Sequence, residues 1–159
     1  MAPINAAQKL MAQPLTTQIH ATCVELAGIG VLLRGPSGSG KSDLALRLID
    51  GGARLVADDR TDLAVESGVL IASSPRTIAG RIEVRGVGLV SLPNVDRCRV
   101  GLAVDLAAAA DVERLPPARH CSYLGIELPL VALAPFECSA AAKLRIAARA
   151  AARGRLAAA

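Results

Sequence analysis

The chain has 159 residues, which is long enough for one domain with its own core and too short for two. Hydrophobic residues make up 52% of the sequence and charged residues 20%, so a disordered chain is excluded. Tyr123 and Phe136 are the only aromatic residues, which argues against a nucleic-acid surface built on base stacking.

The net charge of +4 comes from the C-terminal segment. Five basic and no acidic residues follow Ser139, which leaves 13 basic and 14 acidic residues in the remainder, a net charge of −1. A basic tail on a near-neutral body is a weak indication of nucleic-acid binding. We interpret the tail as the solvated face of a helix, with a surface for an acidic partner as the alternative.

The cysteine pattern and the absence of targeting signals predict a cytoplasmic protein with no membrane partner. Cys23, Cys98, Cys121 and Cys138 form no CxxC pair, and the two histidines do not have zinc-ligand spacing. We expect reduced, mostly buried thiols. The N-terminal residues lack a signal-peptide pattern, and no apolar run reaches the roughly 20 residues needed to span a bilayer.

The hydrophobic pattern divides the chain into a lead-in segment over 1–18, a central domain over 19–138 and a helical Ala/Arg-rich segment over 139–159. The predicted elements, in chain order, are a hairpin of strands 19–26 and 29–33, a helix over 41–49, a buried strand over 54–57, a hairpin over 63–72, a strand over 82–92 broken by Gly86 and Gly88, a strand over 100–106, a last strand over 128–133 and a helix over 140–152. This order predicts an α/β fold with a partly antiparallel, mixed sheet and few helices.

The segment between the second strand and the first helix reads GPSGSGKS and matches the phosphate-binding loop G-x-x-x-x-G-K-[ST] at every fixed position. Its glycines let backbone N–H groups turn toward phosphate oxygens, and the helix N-terminus adds a partial positive charge. Lys41 is expected to contact the β- and γ-phosphates of ATP, and Ser42 to hold Mg²⁺. The alternative is a chance glycine-rich turn. The predicted nucleotide-binding residues are Gly35, Pro36, Ser37, Gly38, Ser39, Gly40, Lys41 and Ser42.

Asp58 and Asp59 end the buried strand after this helix, which places them beside the predicted phosphate site. Because neighbouring strand residues point to opposite faces, at most one carboxylate is expected to face the γ-phosphate. Such a carboxylate can accept the proton of an attacking hydroxyl group. The alternative is an aspartate pair that caps a turn before Thr61.

Four segments in this order together resemble HPr kinase/phosphorylase, the bifunctional enzyme that phosphorylates a serine of the phosphocarrier protein HPr. They are His20, GPSGSGKS, LVADD at 55–59 and IEVRGVGLV at 82–90. The resemblance covers roughly residues 19–92 and is to a short form that has only the catalytic domain. It implies a P-loop fold like that of phosphoenolpyruvate carboxykinase, a homo-hexamer, ATP and Mg²⁺ as cofactors, an HPr-type partner, and a part in the phosphorelay that regulates the phosphotransferase system.

The resemblance also implies roles for individual residues. His20 would lie near the phosphates, and Asp59 would accept the proton in the kinase direction and return it in the reverse direction. Glu83 would complete the Mg²⁺ site with Ser42, and Arg85 belongs to the same catalytic signature. The residues alone favour simpler interpretations, in which His20 is a hairpin histidine and Glu83 forms a cross-strand surface pair with Arg85.

Two segments depart from the family pattern. The family has an arginine in an Asp-Arg-Leu segment, whose nearest counterpart here is VERL at 112–115, so Arg114 is the matching residue. The family's Pro-Gly-Arg-Asn loop, associated with the reverse reaction, is replaced by APFE at 134–137. We therefore expect an ATP-dependent protein-serine kinase whose phosphate-dependent phosphorylase activity is weak.

Two other functions are compatible with the motifs. Many kinases of small metabolites place an aspartate on the strand after the P-loop helix, although this chain lacks their arginine-rich lid. A nucleotide-binding regulatory module without catalytic activity is the third reading. The IEVRG segment favours catalysis, and a product assay separates the three.

Overall fold

A computed structural model describes residues 15–156 of the chain. The elements are β1 (Thr16–Leu26), β2 (Ile29–Arg34), α1 (Lys41–Asp50), β3 (Arg54–Ala57), β4 (Arg60–Glu66), β5 (Val69–Ser73), β6 (Arg81–Val84), β7 (Gly88–Ser91), β8 (Arg97–Leu106), β9 (Arg119–Tyr123), β10 (Ile126–Leu133) and α2 (Ala140–Ala152). Short 3₁₀ helices lie at Arg76–Ile78 and Ala109–Asp111. The mixed sheet with few helices is the predicted fold class.

Two long strands, β1 and β8, each belong to two sheets. The first half of β1 pairs with β4, and its second half lies between β2 and β3. The start of β8 pairs with β5, and the rest of β8 lies between β2 and β10. The result is an antiparallel sheet in the order β1-β4-β5-β8 that shares two strands with a mixed sheet in the order β3-β1-β2-β8-β10-β9.

Four strands of the mixed sheet run in the same direction. Strands β2 and β3 are both antiparallel to β1, β8 is parallel to β2, and β10 is parallel to β8. Their carboxyl ends therefore meet at one edge of the sheet, where ligands bind in open α/β sheets. Asp58 follows β3 at this edge, the segment 35–40 follows β2, and the segment 134–139 follows β10.

The core lies on both faces of the mixed sheet. Val31 and Leu33 of β2 face a cluster with Leu44 of α1 and Leu144 of α2, and all four side chains are fully buried. Leu32, between them in sequence, belongs to the cluster on the opposite face. A strand covered on both faces explains the uninterrupted apolar sequence of β2, and each such side chain contributes about 1.5–3 kcal/mol by burial.

Three sequence predictions differ from the structure. Residues 16–18, placed in the lead-in segment, belong to β1 and pair with residues 62–64 of β4, while residues 1–14 of that segment lie outside the described residues. The interrupted strand over 82–92 is a hairpin of β6 and β7, because the chain turns at 85–87, where Gly86 has φ +84°. Strand β9 was not predicted, since its sequence RHCSY is short and largely polar.

The cysteines are more exposed than the sequence predicted. All four are free thiols, but only Cys23 is buried, and Cys138 is exposed in the segment before α2. A strand in the centre of a sheet buries its small side chains, whereas a loop residue of the same type stays at the surface. Within residues 15–156, no helix is long and apolar enough to cross a membrane.

Candidate active site

The GPSGSGKS segment connects β2 to α1 and has the conformation of a tight loop. Gly35 has φ +155°, and a Cβ atom at this position would lie 2.6 Å from the Oγ atom of Ser39. Gly40 has φ +95°, and its carbonyl accepts the first helical hydrogen bond from the Leu44 N–H group at 2.9 Å. Both positions require glycine, because an L side chain rarely adopts such φ angles. The strand–loop–helix context predicted for a phosphate-binding loop is present.

The Lys41 side chain folds back into this loop. Its Nζ atom donates to the Gly35 carbonyl at 2.7 Å and to the Pro36 carbonyl at 2.9 Å. Only 6% of the residue is exposed. The ammonium group is therefore held among the backbone groups that surround a phosphate in loops of this type, where its charge acts at short range.

Asp58 accepts two hydrogen bonds at the N-terminus of α1. The Ser42 hydroxyl donates to Asp58 Oδ1 at 2.8 Å, and the Thr22 hydroxyl donates to the same oxygen at 3.0 Å. The strand after the helix thus delivers a carboxylate to the residue that follows the P-loop lysine. This contact places Asp58 beside the P-loop, where its position after the strand was expected to put it.

Asp59 contacts a different partner. His20 Nε2 lies 2.6 Å from Asp59 Oδ1, and both side chains are about half exposed, at 49% and 62%. Asp59 has φ +63°, so the backbone leaves the extended conformation immediately after β3. The alternation of faces expected for adjacent strand residues does not apply to this pair, because both aspartates lie beyond the last residue of the strand.

Thr22 is a site residue that the sequence analysis missed. Its side chain is fully buried, and its Oγ1 atom, besides donating to Asp58, accepts from the Asp59 N–H group at 3.3 Å. One hydroxyl group therefore links β1 to both aspartates. The available signal was its position two residues after His20, which places both side chains on the same face of a strand.

Arg34, the last residue of β2, is anchored by a second network that was also missed. Its guanidinium group makes a bidentate ion pair with Asp105 of β8, at 2.7 and 3.0 Å, and donates to the Tyr123 hydroxyl at 2.9 Å. The Asp105 carboxylate raises the pKa of Arg34 above its ordinary value, so the charge is permanent. This network fixes the strand end from which the P-loop starts.

Three predicted residues are not part of these networks. Glu83 lies on β6 and is exposed, Arg85 is exposed in the turn that follows, and Arg114 is exposed after the second 3₁₀ helix. Within residues 15–156, none of the three makes a side-chain hydrogen bond or ion pair. Glu83 lies opposite Leu89 of β7, so it does not form the cross-strand pair with Arg85 considered above.

The oxygen atoms at the P-loop fit Mg²⁺. The Ser42 hydroxyl and the Asp58 carboxylate are 2.8 Å apart, and both are hard oxygen donors. No three His, Cys, Asp or Glu side chains cluster as a closed metal cage in the described part of the chain. This composition suits an ion that takes one or two carboxylates and completes its shell with phosphate oxygens and water.

The chain is similar to known proteins over most of its length. The profile of the HPr Serine kinase C-terminal domain family matches residues 11–134. An HPr kinase/phosphorylase of Clostridium tetani is 48% identical over 79 residues, which are 50% of this chain and 26% of that protein. One of Geobacillus sp. is 37% identical over 120 residues, which are 70% of this chain and 37% of that protein. The matched part of the chain thus spans only 26% and 37% of these two relatives.

A solved structure extends the similarity to the fold. The Hpr(Ser) kinase/phosphatase of Coxiella burnetii superimposes with a TM-score of 0.72 and 30% sequence identity. The superposition covers 87% of this chain and 89% of that chain. The family profile, which matches residues 11–134, includes the P-loop, the two aspartates and the β6–β7 hairpin.

Proposed function

Because the chain belongs to the HPr Serine kinase C-terminal domain family, we propose that it transfers the γ-phosphoryl group of ATP to a serine of an HPr-type phosphocarrier protein. The observation that carries this proposal is the position of Asp58 and Asp59. They lie at the P-loop edge of the sheet, where Asp58 binds Ser42 directly and Asp59 binds His20. A P-loop with an adjacent carboxylate base is the arrangement that phosphoryl transfer to a hydroxyl group requires.

Asp59 is the proposed base. Its carboxylate is exposed to an incoming partner, and His20 orients one of its oxygens while Thr22 holds its backbone N–H group. Asp59 accepts the seryl proton, a bond forms between the seryl oxygen and the γ-phosphorus, and the bond to the bridging β–γ oxygen breaks to release ADP. Lys41 and the loop N–H groups stabilise the negative charge on the transferred group.

Ser42 and Asp58 are the proposed Mg²⁺-binding residues, with Glu83 as a further ligand. When bound, the ion offsets the negative charge that develops on the phosphate oxygens. Arg85 and Arg114 are proposed to contact phosphate oxygens, since both guanidinium groups are exposed and make no ion pair within the described residues.

The forward direction is proposed to be much faster than the reverse. The reverse step needs inorganic phosphate held in line with the phosphoserine by cationic or backbone donors. The replaced loop at 134–137 presents Phe136, whose side chain has no hydrogen-bond donor and no charge. Lys143 is paired with Glu137, at 2.6 Å, so its charge is offset by that carboxylate.

We also propose a cytoplasmic homo-oligomer, hexameric as the family resemblance implies. Four free thiols suit a reducing compartment. Val87 and Leu89 of the β6–β7 hairpin are 73% and 65% exposed, and exposed apolar groups of this kind are typical of contacts between protein chains. Light scattering after gel filtration measures the assembly.

The test of function is incubation of the full chain with Mg²⁺, ATP labelled at the γ-phosphate and a purified HPr-type carrier. Label on one serine of the carrier is expected, and none on a carrier whose serine is replaced by alanine. With candidate metabolites added, label in a small molecule other than inorganic phosphate, with the carrier unlabelled, would identify a metabolite kinase. Nucleotide binding without any transfer would identify a regulatory module.

The direction is tested on the same carrier by a paired rate measurement. ATP-driven phosphorylation is compared with phosphate-driven dephosphorylation, with pyrophosphate detected as the product. The forward rate is expected to exceed the reverse rate by at least about 100-fold, the effect of losing one preorganised donor for the transferred charge. Comparable rates would show that the replaced loop is dispensable.

A further inference from the structure

Phe136 is an exposed aromatic side chain in contact with the P-loop. It lies between β10 and α2, and 72% of the residue is accessible to solvent. A Cβ atom built on Gly40 would lie 3.0 Å from Phe136 Cζ and 3.1 Å from Cε1, so the edge of the ring rests against the glycine before Lys41. An exposed ring gains little from burial, and a position beside a ligand loop therefore points to a role in binding.

The ring is held in place by the segment that carries it. The Arg47 guanidinium group of α1 donates to the Pro135 carbonyl, and Lys143 of α2 pairs with Glu137. The residues on both sides of Phe136 are thus tied to the two helices. The ring is preorganised, which lowers the entropy lost when a ligand binds to it.

The strand order places this ring on a defined side of the loop. Asp58 and Asp59 follow β3, the P-loop follows β2, and Phe136 follows β10, in a sheet whose order is β3-β1-β2-β8-β10. The two aspartates and Phe136 therefore flank the P-loop from opposite sides along the same edge. A nucleotide whose terminal phosphate faces the aspartates extends its nucleoside toward Phe136.

We propose that Phe136 is the surface on which the purine base of the nucleotide stacks. This inference rests on the proposed function, because it uses the orientation of ATP in the kinase reaction. A phenyl ring offers a π-face and no hydrogen-bonding group, so stacking on it tolerates different bases. The contact is expected to strengthen the binding of ATP and GTP by similar amounts. It is not expected to strengthen the binding of a phosphate chain that has no base.

Binding measurements with two ligands test this directly. Calorimetric titrations of the full chain use Mg-ATP and, as a ligand without a nucleoside, Mg-tripolyphosphate. Phe136→Ala is expected to weaken ATP and GTP binding by about 5- to 150-fold, the range for loss of one stacked base. Tripolyphosphate binding is expected to stay within about twofold of wild type. Ile146→Ala removes another exposed apolar side chain, 67% accessible on α2, and is the matched control.

A second variant makes stacking visible. The chain contains no tryptophan, so Phe136→Trp introduces a single tryptophan at the site, whose emission can be excited apart from that of Tyr123. Its fluorescence is expected to change with ATP and GTP and to be unaffected by tripolyphosphate. Because Phe136 is exposed, both variants are expected to keep the wild-type melting temperature within about 1 °C.

Several outcomes would overturn the inference. Equal weakening of ATP and tripolyphosphate binding would show that the ring only shapes the P-loop. Unchanged ATP binding by Phe136→Ala, with a raised KM for the carrier, would assign the ring to the protein substrate. Wild-type protein that binds neither ligand would overturn the proposed function itself, and that result is distinct from a base-independent effect of Phe136.

Discussion

Two groups of residues proposed to take part in catalysis differ in how firmly the fold positions them. The sheet-edge cluster, defined as His20, Thr22, Lys41, Ser42, Asp58 and Asp59, lies on or beside strands of the large sheets. Hydrogen bonds of 2.6 to 3.3 Å join all of its members except Lys41, whose side chain is held by the carbonyls of the P-loop. The peripheral group, defined as Glu83, Arg85 and Arg114, is exposed and belongs to no such network in the described residues. The proposed catalytic geometry at the sheet edge is therefore set by the fold, whereas we expect bound ligands to order the side chains of the peripheral group.

The physical reason lies in the strand pairing. β6 and β7 pair only with each other, so their position relative to the P-loop depends on packing, chiefly of the buried Ile82 in the core under α1. β1 is held by backbone hydrogen bonds to β2, β3 and β4, and the two aspartates directly follow β3. Substitutions in the sheet-edge cluster should lower the rate of phosphoryl transfer and in some cases the stability of the protein. Substitutions in the peripheral group should change only the ligand concentration that activity requires.

Lys41→Ala is the change with the largest expected effect. Phosphoryl transfer to the carrier should fall by about 10³-fold or more, because the ammonium group stabilises charge on the transferred phosphoryl group. The melting temperature should change little, since Lys41 Nζ bonds only to loop carbonyls. Initial rates with labelled ATP and a thermal melt check both points. Near-wild-type turnover would remove the P-loop from the mechanism.

Asp59→Asn should lower the phosphorylation rate by about 100-fold, near the low end for loss of a general base. The effect is expected to be smaller than that of Lys41→Ala because phosphoryl transfer relies mainly on positioning and electrostatics. The affinity for Mg-ATP should be preserved, because Asp59 is the proposed base and Asp58, not Asp59, is the proposed Mg²⁺-binding residue. Single-turnover rates and nucleotide titrations measure the two quantities, and a loss of ATP affinity equal to the loss in rate would contradict the assignment of Asp59 as the base.

Thr22→Val tests whether the buried hydroxyl positions the aspartates. We expect about a tenfold fall in turnover and a higher Mg²⁺ requirement, because Asp58 loses one of its two donors. The loss of stability should be about 1–2 kcal/mol. Thr22→Ser, which keeps the hydroxyl group, should restore most of the activity.

Thr61→Val is the matched control for Thr22→Val. Thr61 is also fully buried, but its hydroxyl donates only to the Ala21 carbonyl, at 2.9 Å. A similar loss of stability with unchanged Mg²⁺ dependence is expected. If both variants shift the Mg²⁺ dependence alike, the effect of Thr22→Val comes from a general loss of structure. The Thr22 hydroxyl group would then not act by positioning the Asp58 carboxylate.

Glu83→Gln should have the smallest effect of these substitutions, and the effect should be limited to the Mg²⁺ requirement. The Mg²⁺ concentration for half-maximal activity is expected to rise by at least about tenfold, since a proposed ligand is lost and even loss of an outer-shell partner weakens metal binding by that much. Stability should stay within about 0.5 kcal/mol, because Glu83 is exposed. A Mg²⁺ titration of activity and a urea melt provide the measurements. An unchanged titration curve would show that Glu83 is a surface residue and not a Mg²⁺ ligand. The proposed Mg²⁺ site would then consist of residues of the sheet-edge cluster alone.

The parts that could be predicted from sequence are those set by neighbouring residues. The P-loop, the helix α1 after it and the Asp58–Asp59 pair at a strand end each follow from a contiguous pattern of glycines, apolar spacing and carboxylates. Such patterns determine local backbone geometry, because turn conformation and helix periodicity act over a few residues. The mixed sheet with few helices follows from the same patterns taken in order.

Tertiary structure alone decided which distant residues meet at this edge. His20 reaches Asp59 across 39 residues, and Arg34 reaches Asp105 across 71. These contacts depend on strand order and register, which single-strand periodicity does not contain, and the short polar strand β9 is recognisable only through its pairing with β10. The placement of Phe136 on Gly40 likewise requires that β10 and β2 run parallel on either side of β8, so that residues nearly 100 positions apart share one edge.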